Sequence, residues 1–320
     1  MKRIFCAILC LFLLASCGGK NSSKTEFMLD TVCTITVEKQ NEEALRVAFY
    51  TAKELENRLS RTVVDSEISK INNSDGAVIV GEDTARLIQK AIYYGDISSG
   101  KFDITLCPVS EMWDFTGDTL PDFRKIADAV KNVDYRKIEV KGNTVNSGGT
   151  RLDLGAIAKG YICDMVAQNL RENSVDEAII NFGGNVTVIG DNHGKGYTVG
   201  IAKPFSDTTV ASVVLKDRSA VTSGIYQRYI EKDGKIYHHI LSSDTGMPID
   251  TDIVSATVIF DNSTDADALS TVCMLLGLDE AKRLIGSIDS AEAFFIDKNG
   301  NLSYTDGIYR DGNVFKIRGE

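Results

Sequence analysis

An aspartate and a threonine four residues apart, Asp267 and Thr271, fall inside a stretch whose apolar pattern predicts a helix from Asp265 to Leu276, ended by Gly277. Residues at that spacing share one helical face. A carboxylate and a hydroxyl side by side suit a hard cation such as Mg2+, which takes oxygen ligands and keeps places for phosphate oxygens. The pair also has a plainer reading: the helix dipole favours an acid near the N-terminus, and a threonine can simply pack. A second stretch is Asp153-Leu154-Gly155-Ala156-Ile157-Ala158-Lys159-Gly160-Tyr161. An acid and a glycine precede an expected helix start, and a lysine sits in its first turn. Free N–H groups at a helix N-terminus attract phosphate, and glycine lets a ligand approach the backbone. The stretch is not a P-loop, in which the lysine follows the second glycine and a Ser or Thr comes next. Here Lys159 precedes Gly160, and Tyr161 follows.

His238 and His239 sit late on an expected strand, where successive side chains face opposite ways, so only one of them can face a given site. His193 is the third histidine, and no His-Glu-x-x-His pattern supports a zinc site. Either strand histidine can equally be a hydrogen-bonded packing residue. Glycine also stands beside polar residues in Gly183-Gly184-Asn185, Thr222-Ser223-Gly224 and Thr245-Gly246. Each alone reads as a turn. Taken with the Asp153 stretch, they suggest backbone approached closely by a ligand. No Gly-x-Ser-x-Gly elbow appears, and no Gly-x-Gly-x-x-Gly follows a strand, which removes the usual support for serine hydrolases and Rossmann dehydrogenases.

The elements that must carry these residues can be read from periodicity. Thr31–Val37 alternates as a strand, and Ala44, Val47, Ala48, Ala52, Leu55 and Leu59 make one face of a helix from Glu42 to Leu59. Asp83 can cap a helix carrying Leu87, Ile88, Ala91 and Ile92. A third helix is expected from Ala156 to Asn169. The second half is rich in strands: Val186–Ile189, Tyr197–Ile201, Val210–Leu215 and Ile253–Phe260. A short helix is expected from Glu280 to Ile285. Asp233-Gly234 joins Arg228–Glu231 to Lys235–Ile240, and Asn299-Gly300 joins Ala293–Ile296 to Leu302–Thr305, both as hairpins. Helices mixed with antiparallel hairpins, without regular βαβ alternation, predict an α+β fold.

The 320 residues carry a net charge of −10, which argues against nucleic-acid or anionic-membrane binding and requires a local site or a metal to hold an anionic ligand. Lys2 and Arg3 precede an apolar run, Ile4–Leu14, too short to span a bilayer. Leu14-Ala15-Ser16-Cys17 resembles the bacterial lipobox, which makes Cys17 the lipidated first residue of the mature chain. The expected organisation is a signal peptide over 1–16, a lipidated cysteine and flexible tether over 17–25, and one undivided unit over 26–320. Cys33, Cys107, Cys163 and Cys273 lie in mostly apolar surroundings with no Cys-x-x-Cys pair, so buried free thiols are at least as expected as disulfides.

In chain order, these motifs resemble those of the ApbE-like flavin transferases, FAD:protein FMN transferases of the bacterial cell envelope. The resemblance rests on Leu59-Ser60 with Ser66–Asn72; Phe102-Asp103-Ile104-Thr105 with Pro108 and Trp113; Asp153–Gly160; and Phe182-Gly183-Gly184-Asn185. It continues through Thr222-Ser223-Gly224, His239–Gly246 and Asp267-Ala268-Leu269-Ser270-Thr271. Two departures stand out: Ser242 and Ser243 replace the family's acid and proline before Thr245-Gly246, and Ile225 replaces an acid after Ser223-Gly224. The resemblance implies a single ApbE-like, T-fold-like unit of mixed and antiparallel sheets flanked by helices, with FAD as donor and Mg2+ as metal. It implies Asp267, Thr271 and the Ala156 carbonyl as metal ligands, with Asp267 catalytic. It places Phe102, Asp103, Asp153, Lys159, Asn185, Ser223, Thr245 and Gly246 around the dinucleotide. His239 is a candidate base for the incoming hydroxyl. The acceptors implied are subunits of envelope electron-transfer complexes, met by a protein lipid-anchored on the extracytoplasmic side of a bacterial membrane. FAD hydrolysis, or flavin binding without catalysis, are the rival readings.

Overall fold

The computed structural model describes residues 21–319. The expected signal peptide and Cys17 lie outside the described residues. The chain builds one eight-stranded sheet with the order β1-β2-β6-β7-β10-β13-β14-β15. Its members are β1 (Ser22–Met28), β2 (Thr31–Val37), β6 (Ala178–Phe182), β7 (Asn185–Ile189), β10 (Ser219–Gly224), β13 (Ile253–Phe260), β14 (Glu292–Asp297) and β15 (Leu302–Tyr304). Every neighbouring pair runs antiparallel. A smaller sheet orders β16 (Ile308–Asp311), β17 (Val314–Ile317), β9 (Thr209–Leu215) and β8 (Tyr197–Ala202), with β17 parallel to β9. Short strands β3 (Val78–Ile79), β4 (Glu139–Lys141) and β5 (Thr144–Asn146) form a third sheet, and β11 (Tyr229–Lys232) pairs with β12 (Lys235–His238) as a hairpin.

The helices are α1 (Glu42–Leu59), α2 (Glu67–Asn72), α3 (Glu82–Ile97), α4 (Cys107–Ser110), α5 (Phe123–Ala129), α6 (Ala158–Glu172), α7 (Ser263–Leu276) and α8 (Leu278–Ile285). The main core lies between the large sheet and α1, α3, α6 and α7. A second core joins the large sheet to the smaller one. Strand β13 is buried on both faces: Ala256 and Val258 enter the first core and Ile259 the second. Such a strand reads as a largely apolar run, as Ile253–Phe260 does with only Ser255 and Thr257 polar.

Helix α7 is the centre of the arrangement. It packs against α6, β10 and β13, and most of its first twelve residues are buried. Its N-terminus is moored from three sides. Asn262 caps it by accepting from the Asp265 N–H at 2.9 Å. The Asp164 carboxylate, on α6, accepts from the N–H groups of Ser263 and Thr264 at 2.7 and 2.8 Å and from the Thr264 hydroxyl. Asp265 in turn accepts from Lys90 at 2.5 Å and Tyr94 at 2.7 Å, both on α3. Acids at this end also oppose the positive end of the helix dipole.

The α+β expectation holds, and several boundaries move. Ser22–Thr25, expected as tether, pairs with β2 in strand β1. Asp83 is not the cap of α3. That helix starts at Glu82 behind Gly81, whose N–H is taken by the Glu67 carboxylate at 2.9 Å, and Asp83 lies in its first turn. Helix α6 begins at Ala158 rather than Ala156, and α7 at Ser263 rather than Asp265. Thr222-Ser223-Gly224 is the end of strand β10, not a turn. The four cysteines of the described chain are free and buried. Among the described residues no helix is long and apolar enough to cross a membrane.

Candidate active site

Two loops and one helix junction hold the residues singled out by the sequence. At the junction, Leu154 and Ile157 are buried and pin the chain as it enters α6. The Leu154 carbonyl accepts from both Ile157 and Ala158. The Gly160 N–H would, in a regular helix, donate to the carbonyl of Ala156, four residues back. It donates instead to Asp267 Oδ2 at 2.8 Å. No hydrogen bond among the described residues ends on the Ala156 carbonyl. Gly160 is required for this approach by space alone. A Cβ there would stand 2.2 Å from the Ser263 carbonyl oxygen and 2.7 Å from the Asp267 Cβ.

Asp267 is 5% exposed. Burial raises its pKa, against the opposing pull of the Lys159 charge, the Gly160 N–H and the Asn185 amide. Asn185 is itself buried at 1% exposure, yet neither of its amide atoms completes a hydrogen bond of normal geometry. Such orphaned buried groups are rare enough to mark a place that something else completes. One turn along α7, the Thr271 hydroxyl lies 3.2 Å from Ser223 Oγ, which also meets Ser270 Oγ at 2.7 Å. Ser223 therefore ties β10 to the face of α7 that carries Asp267 and Thr271. Lys159 makes no ion pair or hydrogen bond among the described residues.

A single buried carboxylate, a free carbonyl and a hydroxyl form an oxygen-only donor set. Among the described residues no group of three or more His, Cys, Asp or Glu could hold a metal. That composition fits a hard cation completed by ligand oxygens rather than a closed zinc site.

The two histidines separate as strand alternation requires. His238 is buried, with Nε2 3.2 Å from the Ile249 carbonyl, and fills the packing role. His239 lies on the other face, with Nδ1 3.2 Å from the Arg228 carbonyl and its ring edge-on to Phe115. A carbonyl partner fixes the proton on Nδ1 and leaves Nε2 as a proton acceptor. Burial, and next the charge of Arg228, press its pKa down to about 4, with Lys159 adding to the effect. The Lys159 charge thus acts on both Asp267 and His239. Neutral imidazole is then the resting form of His239, so if it is the base of the transfer that the sequence resemblance implies, kcat/KM for FAD should stay level from neutral pH down to about 5 as far as this group is concerned. His239→Gln should lower it about 100-fold throughout that range. An acid limb centred near 6.5 in wild type, absent from the variant, would contradict the assignment.

The remaining candidate residues have the following partners in the frame. Asp153 accepts from Arg61, Ser110 and the Gly155 N–H, at 3.0, 3.0 and 2.9 Å. Asp103 accepts from the Thr105 N–H and hydroxyl and the Tyr135 N–H. Phe102 is 2% exposed and lies against Tyr94. Gly246, at φ +67°, passes under Trp113, whose indole N–H donates to its carbonyl at 3.1 Å, while Thr245 is exposed. The Ser243 hydroxyl reaches the Gly100 carbonyl, and the Asp153 N–H reaches the Ile104 carbonyl, so these loops are stitched to one another and to the start of α6. Asp164 and Ser270 escaped the sequence reading, because each acts through a partner distant in the chain, and Arg228 escaped it although its partner His239 stands across an expected hairpin. A hollow of about 230 Å³ near Asp164, Thr187 and Arg218 contains none of the candidate residues. Its charges are mutually matched, Arg171 with Asp217 and Arg218 with Asp261.

The fold and junction define an α+β protein that brings one carboxylate of a buried helix against the opened first turn of another. The chain belongs to the ApbE family, whose model matches residues 29–295. It is 30% identical to the FAD:protein FMN transferase of Treponema pallidum (strain Nichols), over 99% of this chain and 96% of that one. It is 33% identical to that of Klebsiella pneumoniae (strain 342), over 79% and 82%. Among solved structures, the ApbE protein of Thermotoga maritima MSB8 superposes with a TM-score of 0.82 at 30% identity, covering 90% of this chain and 97% of that one. The flavin transferase ApbE from Vibrio cholerae, at 24% identity and a TM-score of 0.80, shares the fold.

Proposed function

We propose that this protein transfers FMN from FAD to a Thr or Ser hydroxyl of an acceptor protein, releasing AMP, with Mg2+ as its metal. The curated relatives support the transferase reading. The observation that carries the chemistry is the diverted hydrogen bond. By taking the Gly160 N–H, Asp267 brings its carboxylate to the turn whose Ala156 carbonyl is left unbonded, with Thr271 one turn away. Asp267, Thr271 and the Ala156 carbonyl would hold the cation, and Asn185 has amide atoms to spare beside them. When bound, the ion would neutralise charge on the diphosphate of FAD.

Lys159 supplies a positive charge in a molecule of net charge −10, at the helix end that favours anions. His239 Nε2 takes the proton of the acceptor hydroxyl as its oxygen bonds to the FMN-side phosphorus. The bond from that phosphorus to the bridging oxygen breaks, and AMP leaves with the electron pair. A pKa near 4 makes a weak base in the free protein. An arriving phosphate offsets the charges of Arg228 and Lys159 and raises it toward a useful value. The lipobox-like Leu14–Cys17 segment supports an extracytoplasmic, membrane-anchored location, with acceptors among envelope electron-transfer subunits.

The test is mass spectrometry of a co-expressed acceptor subunit. A gain of one FMN on a Thr or Ser, lost when divalent cations are chelated, is the expected result. Rapid AMP release from FAD and Mg2+ with no acceptor present would identify a hydrolase instead.

A further inference from the structure

His239 does not stand alone on its face of the hairpin. The β11–β12 register pairs Tyr229 with His238, so the next step outward sets Arg228 opposite His239. The His239 N–H donates to the Arg228 carbonyl at 3.1 Å, a single main-chain bond that keeps the two residues opposed just past the strand ends. Directly opposed residues of antiparallel strands leave the sheet on the same face, about 5 Å apart at Cβ. The Arg228 side chain therefore emerges beside the imidazole. It is exposed, and among the described residues its guanidinium makes no ion pair, hydrogen bond or ring contact. Its backbone is held by His239 itself, through both the main-chain bond and the ring Nδ1 at 3.2 Å. Lys159, a second cation without an ion pair among the described residues, lies near enough to bias the same ring.

We infer that Arg228 is a phosphate-binding residue that grips the non-bridging oxygens of the phosphoryl group being transferred. This rests on the proposed transfer reaction and adds a residue that nothing else assigns to it. An attacking hydroxyl that gives its proton to His239 must lie about 3 Å from Nε2 and bond to the phosphorus directly. The equatorial oxygens of that phosphorus then fall beside the His239 neighbour on the same hairpin face, within reach of a long side chain. A planar guanidinium with several N–H donors matches a phosphate in two places at once, which a flexible ammonium does not. The AMP-side phosphate leaves in line with the attack, away from His239, so it is the FMN-side phosphate that Arg228 meets.

Two measurements test this. With saturating acceptor and Mg2+, Arg228→Gln should lower kcat for transfer from FAD about 100-fold, and Arg228→Lys should recover part of it. Binding followed by fluorescence should show FMN held about tenfold more weakly by Arg228→Gln, with riboflavin, which lacks the phosphate, and AMP unchanged. Equal kcat in wild type and Arg228→Gln, or equal weakening of FMN and riboflavin, would overturn the assignment. A wild-type protein with no transfer activity would instead remove the underlying reaction.

Discussion

Asp267→Ala is expected to reduce FMN transfer by at least about 1000-fold at saturating Mg2+, the scale of losing a principal electrostatic stabiliser in a site of this kind. Asp267 supplies the only charge in the proposed donor set, so no neighbour can replace it. The alanine variant also orphans the Gly160 N–H, which costs stability as well as activity. Asp267→Asn separates the two effects. Its amide oxygen can still accept from Gly160, and it removes a carboxylate whose charge burial already disfavours. The asparagine protein should therefore unfold at a denaturant concentration no lower than wild type while transferring FMN as poorly as the alanine protein. Transfer by Asp267→Asn within tenfold of wild type would remove the cation from this position.

The second large effect is expected from Gly160→Ala. Gly160 has no positive φ to protect, so the effect is one of space. The added methyl meets the Ser263 carbonyl oxygen, which is backbone and cannot swing aside. Overpacking of this kind costs about 1–3 kcal/mol, and the relief available is to move α6 away from α7. That movement stretches the bond from the Gly160 N–H to Asp267 and displaces the carboxylate. A displacement of about 1 Å is enough for a 100-fold loss of rate. Gly76→Ala, where a Cβ meets nothing within 4 Å, is the control and should match wild type in both melting and transfer. If Gly160→Ala melts lower yet transfers normally, the junction matters only to folding.

The contrast between these two positions shows what one sequence can disclose. Asp267 and Thr271 were readable as a pair because helical spacing alone puts them on one face. Gly160 was readable as a glycine with a purpose, but as one admitting a ligand. The structure fills that space with the first turn of α7, some hundred residues onward, and no local pattern announces such a neighbour. Asp153 has a second duty of the same hidden kind. An acid before a helix start suggests anion chemistry nearby, and no local pattern announces that its oxygens also hold Arg61, Ser110 and Gly155. Ser223 looked like part of a turn because Gly224 follows it. Pairing along β13 keeps Ser223 in strand, and its hydroxyl goes to α7. Periodicity supplied the α+β class and most long elements. It missed β6 and the β16–β17 pair, and it shifted helix starts where a carboxylate from elsewhere, such as Glu67 or Asp164, decides which N–H groups are free.

The mooring of α7 by Asp164, Asn262 and Asp265 carries a thermodynamic implication. Because the carboxylate-bearing helix is clamped at its foot by groups from two other helices, the oxygens proposed to hold the cation stand in place whether or not the site is loaded. Loading such a socket asks for little rearrangement of the chain, so the free energy of capture is not drained into ordering it. The cost was met once, when the polypeptide folded, and successive rounds of catalysis inherit it.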